Sequence, residues 1–264
     1  MRKAAIVAAM GAIGLSGGVL HAATLAADYQ FQQTFASSVG TAPDLTELNT
    51  GTAICGSFVQ ADVYGQTRYV YSFTGGTEGG EGLQAATAGV VSPDTYSIVI
   101  DAELQDITSA INKIIDFKNR TTDSGLYIVA GIPTFYNSIT PVGNGLTPLV
   151  QGDFGQLALT RDSTGTVDVY LNGAQEFSFD DSTSDLATIG DTPTDQLLDL
   201  FVDDPFTTIV ESGLTLENPS GEVARVRLYD GALTPPEVAA LVPEPTLLAM
   251  PIAGLLMLRR ARRR

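Results

Sequence analysis

Three aspartates near the end of an apolar run are close enough in sequence to bind a metal ion together. Asp199 lies within the run, and Asp203 and Asp204 follow it closely. Carboxylate oxygens, together with a backbone carbonyl, are the ligands that Ca²⁺ prefers. We therefore predict a calcium site at these three residues and no other cofactor. The end of a strand followed by a turn is the alternative explanation of the same residues.

A second group of carboxylates could perform acid–base chemistry. Asp101, Glu103 and Asp106 follow one another at a spacing similar to the Glu-x-Asp-x-x-Glu strand of retaining jelly-roll glucanases, with the acidic types exchanged. A retaining glycosidase needs two carboxyl groups about 5 Å apart. Asp is shorter than Glu, however, and the outward face of any strand is expected to be polar. We therefore expect no catalytic residues and no enzyme activity, with a retaining glycoside hydrolase as the catalytic alternative.

Histidine and cysteine are too rare to support other common chemistries. The chain has one histidine, His21, and one cysteine, Cys55. His21 lies in an N-terminal segment that we interpret below as a leader, so the remaining chain lacks a Ser-His-Asp relay, a Cys-His relay and an ordinary zinc site. An internal disulfide is also excluded, and Cys55 is expected to be a small buried apolar residue.

The net charge excludes another class of partner. The chain has 30 acidic and 14 basic residues, and 7 of the basic ones lie in the two terminal segments described below. The central region is therefore more acidic than the whole chain, which argues against nucleic-acid binding. Such a charge favours multivalent cations or cationic surfaces, although solubility alone would explain it.

The sequence pattern of the central region predicts β-structure throughout. Tyr96 to Leu104 alternates between apolar and polar residues, as expected for a half-buried strand. Similar short runs are separated by Gly, Pro, Asn and Asp, and they predict strands at residues 68–74, 113–117, 126–130, 156–161, 166–171, 175–179, 198–202 and 223–229. Many short strands with frequent turn signals indicate a β-sandwich.

Two turns and a helix can be placed more closely. Residues 162–165 and Asn172-Gly173 are hairpin signals, so residues 156–179 should form a three-strand meander. Thr234-Pro235-Pro236-Glu237 is a capping box with proline at the first helical position, which predicts a short helix after the last strand.

These segments resemble the laminin-G-like, concanavalin A-like jelly-roll family. The resemblance covers about residues 152–241, including the Asp-x-x-Gly and Asn-Gly turns and the ending RLYDGALTPPEVAAL. It implies an all-β jelly-roll sandwich over residues 28–241, with residues 29–35 pairing with the last strand. It also implies binding of a carbohydrate or another ligand. Arg225 and Arg227 alternate outward on a late strand and are candidate contacts to an acidic polysaccharide, although two arginines on a sheet face usually pair with neighbouring Asp or Glu.

The N-terminal segment has the features of a secretory signal peptide. Arg2 and Lys3 precede an apolar stretch rich in small residues, and cleavage positions occur between Ala22 and Ala27. We predict a helical signal peptide over residues 1–27 and export through the Sec machinery.

The C-terminal segment, residues 242–264, carries a three-part pattern. Val242-Pro243-Glu244-Pro245 precedes a short uncharged stretch of about 20 Å as a helix, which is short for a bilayer. The end is basic, with Arg259, Arg260, Arg262, Arg263 and Arg264. The pattern resembles the PEP-CTERM sorting signal of exported bacterial proteins, which a membrane exosortase recognises. The resemblance implies a transient hold in the inner membrane through a short hydrophobic helix, cleavage near the motif, and delivery to the cell envelope, the outer surface or the extracellular matrix.

The sequence thus predicts an exported, non-catalytic jelly-roll protein that binds carbohydrate or another ligand. A structural component of an exopolysaccharide matrix, without a discrete binding site, is the alternative.

Overall fold

A computed structural model describes residues 22–49, 56–76, 80–190, 195–203 and 217–243 of the chain. Its strands are β1 (Thr24–Tyr29), β2 (Thr46–Asn49), β3 (Ser57–Val63), β4 (Gln66–Phe73), β5 (Glu81–Ala86), β6 (Tyr96–Gln105), β7 (Ile111–Asp116), β8 (Gly125–Val129), β9 (Ile132–Asn137), β10 (Thr140–Asn144), β11 (Gly155–Arg161), β12 (Thr166–Leu171), β13 (Ala174–Asp180), β14 (Leu197–Leu200) and β15 (Ser220–Asp230). A 3-10 turn (Ile107–Ser109) follows β6, and helix α1 (Pro235–Ala240) follows β15. Cys55, Asp204, residues 1–21 and the tail from Glu244 onward lie outside the described residues.

The strands form two antiparallel sheets. The larger, 8-stranded sheet has the order β13-β12-β11-β6-β15-β4-β3, with β1 also paired to β15. The smaller, 7-stranded sheet has the order β10-β9-β8-β7-β14-β5-β2. This arrangement confirms the predicted all-β sandwich.

Strand β15 holds the larger sheet together. Its whole length pairs with β6, from Ser220 opposite Gln105 to Asp230 opposite Tyr96. Its other edge pairs first with β4 and then with β1. A displacement of β15 would therefore break contacts with three strands at once.

The main core lies between the two sheets. On β6, the side chains of Ile98, Ile100 and Leu104 face the smaller sheet, as the alternation predicts. The opposite side of β6, which we call the outer face of the larger sheet, is also largely inaccessible to solvent, and Asp101 and Glu103 are 4% and 6% exposed there. The expectation of a half-buried strand was therefore wrong, because α1, loops and paired side chains cover the outer face.

The predicted meander and helix are present. The β12–β13 hairpin turns at Asn172 and Gly173, which have φ values of 49° and 79° and so occupy the left-handed region that Asn-Gly tolerates. At the start of α1, the Thr234 amide donates to Glu237 Oε2 at 2.7 Å. Val238 of this helix packs with Val99 and Tyr170 on the outer face.

The first strand begins earlier than predicted. The expected strand at residues 29–35 is instead β1, at Thr24–Tyr29, because Phe31 and Gln33 have positive φ values and bend the chain away from β15. Residues 24–27 of the predicted leader thus belong to the folded domain, and Ala27 is buried in the core. Cleavage after residue 27 would remove most of β1. Among the residues that the structure describes, no helix combines the length and apolar character needed to cross a bilayer.

Candidate functional site

An open groove of about 720 Å³ crosses the outer face of the larger sheet. One wall is the end of β3 and its turn into β4, and the floor is formed by the ends of β6 and β15. The loop before β11 makes the other wall. The lining residues are Ala61, Asp62, Tyr64, Gly65, Glu103, Gln105, Gly152, Asp153, Phe154 and Glu222.

Two glutamates lie at the floor of this groove. Glu103 on β6 and Glu222 on β15 are direct cross-strand partners, so their Cβ atoms are about 5 Å apart. Like charges at such positions repel each other. Burial, followed by the proximity of Glu222, raises the pKa of Glu103, which the hydrogen bond from Gln105 partly opposes. Burial also raises the pKa of Glu222.

Two aromatic rings flank the carboxylates. Tyr64 and Gly65 form the two-residue turn between β3 and β4, with φ values of 53° and 83°. The ring of Tyr64 lies 6.3 Å from that of Phe154, at an interplanar angle of 59°. The loop that carries Phe154 is tied to β6, because the Gly152 amide donates to the Leu104 carbonyl at 3.1 Å. Both rings are half-buried, so each retains surface that a ligand could contact.

Arg225 and Arg227, the predicted ligand contacts, have partners within the protein. Arg225 forms two hydrogen bonds with Asp28, at 2.6 and 2.9 Å. Arg227 pairs with Asp101 at 3.1 Å, and both side chains of that pair are about 5% exposed. The two arginines line a smaller pocket of about 160 Å³ that adjoins the groove at Tyr64. Their guanidinium groups therefore neutralise Asp28 and Asp101.

The structure separates the three carboxylates that resembled a glucanase strand. Asp101 and Glu103 project from the same face of β6, but Asp101 is bound by Arg227 and by the side-chain amide of Gln156. Asp106 is exposed, beyond the end of β6, with a φ of 55°. Only Glu103 of the three lines the groove. Burial raises the pKa of Asp101, and Arg227 opposes this rise.

Two of the aspartates predicted to bind calcium, Asp199 on β14 and Asp203 just after it, contact different groups. Asp199 accepts a hydrogen bond from Gln84 at 2.8 Å and lies 3.4 Å from Arg120 Nε. Asp203 lies 2.9 Å from the ammonium group of the fully buried Lys113. Asp204 is outside the described residues.

Asp203 belongs to another carboxylate group that the sequence analysis missed. One oxygen each from Asp123, Asp203 and Glu217 lies within 4.8 Å of the others, and all three residues are buried. The Tyr127 hydroxyl donates to Asp123 and Asp203, at 2.8 and 3.2 Å. Hard oxygen ligands at this spacing could hold Ca²⁺. Asp123 and Glu217 are distant from Asp203 in sequence and carry no shared motif, so only the fold brings them together.

No family model matches the chain, and no curated protein matches it in sequence. Solved structures do resemble it. Domain 4 of AbnA, a GH43 extracellular arabinanase from Geobacillus stearothermophilus solved in complex with arabinotriose, aligns with a TM-score of 0.62 and 20% identity. That alignment covers 84% of this chain and 100% of that domain.

Botulinum neurotoxin structures give a weaker likeness. The binding domain of neurotoxin DC, solved in complex with rat synaptotagmin II, aligns with a TM-score of 0.54 and 11% identity over 83% of this chain. A structure of neurotoxin type C, whose cell entry depends on interaction with two ganglioside molecules, aligns with a TM-score of 0.51 and 9% identity over 84% of this chain. The present chain spans about half the length of these toxin chains, at 51% and 50%. At such identities the likeness shows a shared β-sandwich fold.

Calcium binding stays a prediction, and thermal melting tests it. If the ion binds at Asp203, about 5 mM Ca²⁺ should raise the melting midpoint and a chelator should reverse the rise, because a ligand of the native state stabilises it. Asp123→Asn should abolish the shift, whereas Asp62→Asn, in the groove on the other sheet, should leave it intact. An equal melting midpoint with Ca²⁺ and with chelator would contradict calcium binding.

Asp199 gives a prediction for pH dependence. Burial, with the neighbouring Asp116, raises the pKa of Asp199 to about 6, against the opposing effects of Gln84 and Arg120. The folded protein therefore binds this proton more tightly than the unfolded chain, and the contribution of Asp199 to stability falls as pH rises from about 4 to about 6. Asp199→Asn should be more stable than the wild type at pH 7, by roughly 2–3 kcal/mol, and the gain should vanish near pH 4. Urea denaturation at both pH values measures this, with the exposed Asp106→Asn as control. An equal effect at the two pH values would contradict the argument.

Proposed function

We propose that this chain is a non-catalytic carbohydrate-binding protein and that the groove of the larger sheet is its binding site. The observation that carries the proposal is the combination of two half-buried aromatic rings with carboxylates in one open groove. A sugar ring presents an apolar C–H face and a rim of hydroxyl groups. Aromatic side chains pack against the first, and carboxylate oxygens accept hydrogen bonds from the second.

The structural neighbours support this proposal by analogy of fold. The AbnA domain was solved with arabinotriose, and the type C toxin depends on gangliosides for cell entry. A domain with this fold therefore binds a saccharide in another protein. Because fold alone does not determine function, the proposal rests on the groove and its side chains.

The surroundings of Asp101 argue against Asp101 and Glu103 as the catalytic pair of a glycosidase. A retaining glycosidase needs two free carboxyl groups on either side of the scissile bond. Asp101 is held by Arg227 and Gln156, which leaves Glu103 without the partner that the strand pattern would provide. Glu103 and Glu222 instead lie side by side on the groove floor. Product analysis of any saccharide that binds would reveal hydrolysis if it occurs.

A glycan array followed by titration calorimetry tests the carbohydrate proposal. Phe154→Ala should weaken binding of the best array ligand at least tenfold, since it removes one of the two ring surfaces. Tyr64→Asn, which keeps a residue tolerant of positive φ, should have a similar effect. Tyr69→Ala is the matched control, because Tyr69 lies on β4 next to Val70 and points to the other side of the sheet. An array without any ligand would contradict the proposal and favour the matrix component without a discrete site.

We also infer that the protein is exported and sorted by an exosortase. The support is the order of parts in residues 242–264: Pro243, Glu244 and Pro245, then the apolar stretch, then the arginine cluster. The leader-like N-terminal segment supports entry into the Sec pathway. Cleavage near Pro243 would leave the described fold complete, because α1 ends at Ala240. The resulting protein would reside in the cell envelope or the extracellular matrix.

Deletion of residues 243–264 tests the sorting proposal. The variant should differ from the full chain in its distribution between membrane and extracellular fractions, because the exosortase would lack its recognition motif. The mature full chain should have lost about the mass of residues 243–264 and so match the variant in size. Replacement of the five terminal arginines by glutamine keeps the length and should impair only the retention step. A mature full chain that keeps the mass of its tail, or identical fractionation of all three proteins, would overturn the proposal.

A further inference from the structure

The described lining of the groove carries charge of one sign only. Its acidic residues are Asp62, Glu103, Asp153 and Glu222, and the described lining includes no lysine, arginine or histidine. None of the ion pairs among the described residues includes any of these four side chains. Within the part of the chain that the structure describes, their negative charge is therefore not compensated by a cation at contact distance.

The arginines of the pocket that adjoins the groove bind other groups of the protein. Arg225 and Arg227 are paired with Asp28 and Asp101. Arg68 donates to the carbonyl oxygens of Gln30 and Ala224, each at 3.1 Å. All three side chains line the adjoining small pocket, so these arginines do not neutralise the groove.

The aromatic rings restrict which cation could neutralise the carboxylates of the groove. A metal ion would make no use of Tyr64 and Phe154, whereas a ring-shaped ligand with an amino group would contact both kinds of side chain. Glu103, at 6% exposure, places its carboxylate at the buried floor, where an ion pair is less screened by solvent than at the surface.

We propose that the groove selects saccharides with a protonated amine, such as a polymer of de-N-acetylated amino sugars. This inference rests on the proposed carbohydrate-binding function and narrows its ligand class. The sugar ring packs on Phe154 and Tyr64, and the ammonium group donates hydrogen bonds to the carboxylates of Glu103 and Glu222. Neutral sugars lack the charged contact, and acidic sugars are repelled by Glu103 and Glu222.

The pH dependence of binding separates the titration of the ligand from that of the groove. The polar and titratable residues that line the groove are Asp62, Glu103, Asp153, Glu222, Tyr64 and Gln105. Raising the pH from about 6 to about 8.5 makes the carboxylates at least as negative, while the sugar amine loses its proton. Any weakening of binding over this range therefore comes from the ligand.

Three β-1,4-linked oligosaccharides of equal length test the proposal on the full chain. Oligomers of glucosamine, N-acetylglucosamine and glucose differ only in the amine, acetamide or hydroxyl group at C2. At about pH 6, calorimetry should give an affinity for the glucosamine oligomer at least tenfold above the other two. At about pH 8.5 the three affinities should converge.

Charge-removing variants locate the contact. Glu103→Gln and Glu222→Gln should each lower the affinity for the glucosamine oligomer about tenfold. Each should change binding of the glucose oligomer much less, because glutamine still accepts hydrogen bonds from hydroxyl groups. Asp180→Asn, which removes an exposed carboxylate on β13, controls for the loss of one charge. Melting curves show whether each variant is folded.

The outcomes distinguish this inference from the function on which it rests. Equal affinities for the three oligomers, with loss of binding in Phe154→Ala, would overturn the amine preference and retain carbohydrate binding. Absence of binding to these and to all array saccharides would overturn both. Equally tight binding of oligolysine, unaffected by Phe154→Ala, would show simple attraction of cations and also overturn the amine-sugar assignment.

Discussion

The pairing of Arg225 and Arg227 with Asp28 and Asp101 is the interaction on which the outer face of the larger sheet depends. Both arginines belong to β15, and their partners lie on the two strands beside it. Because Asp101 and Arg227 are nearly inaccessible to solvent, removing either would leave an uncompensated buried charge. These pairs thus fix β15 between β1 and β6. Because both guanidinium groups are bound in these pairs, they do not neutralise the groove. One set of contacts therefore affects both the stability of the sheet and the charge of its open surface.

The smaller sheet has its own buried charge centre with a different consequence. The Lys113 ammonium lies 2.7 Å from Asp116 and 2.9 Å from Asp203, with the ring of Tyr127 5.3 Å away. Its two carboxylate partners raise the pKa of Lys113 against the effect of burial. Asp116 also accepts the amides of Lys118 and Arg120, so the loop after β7 is tied to the same centre. Here the charges hold loops in place, whereas on the larger sheet they hold strands.

The sequence predicted those elements whose local signals agree with their tertiary environment. The meander of β11 to β13 was found because Asn172 and Gly173 suit the turn, and α1 because the capping box is a local contact. Strands such as β5, with the sequence EGLQAA, and β10, which contains Pro141 and Gly143, have weak β-propensity and owe their conformation to pairing with neighbours. The groove could not be predicted for a related reason. Its residues come from four separate segments, and only the register that places Glu103 opposite Glu222 makes them one site.

The position of α1 explains why the groove lies where it does. The helix covers the half of the outer face formed by β6, β11 and β12, where it packs on Val99, Ala158 and Tyr170. The Gln156 side chain ties the end of this helix to the sheet by donating to the Leu241 carbonyl at 2.9 Å. No described helix covers the remaining half, near β3, β4 and the start of β15, and the groove opens there. The same geometry brings Pro243 to the rim of the adjoining small pocket. Pro243, the first proline of the proposed sorting motif, therefore lies on the same side of the molecule as the proposed binding site.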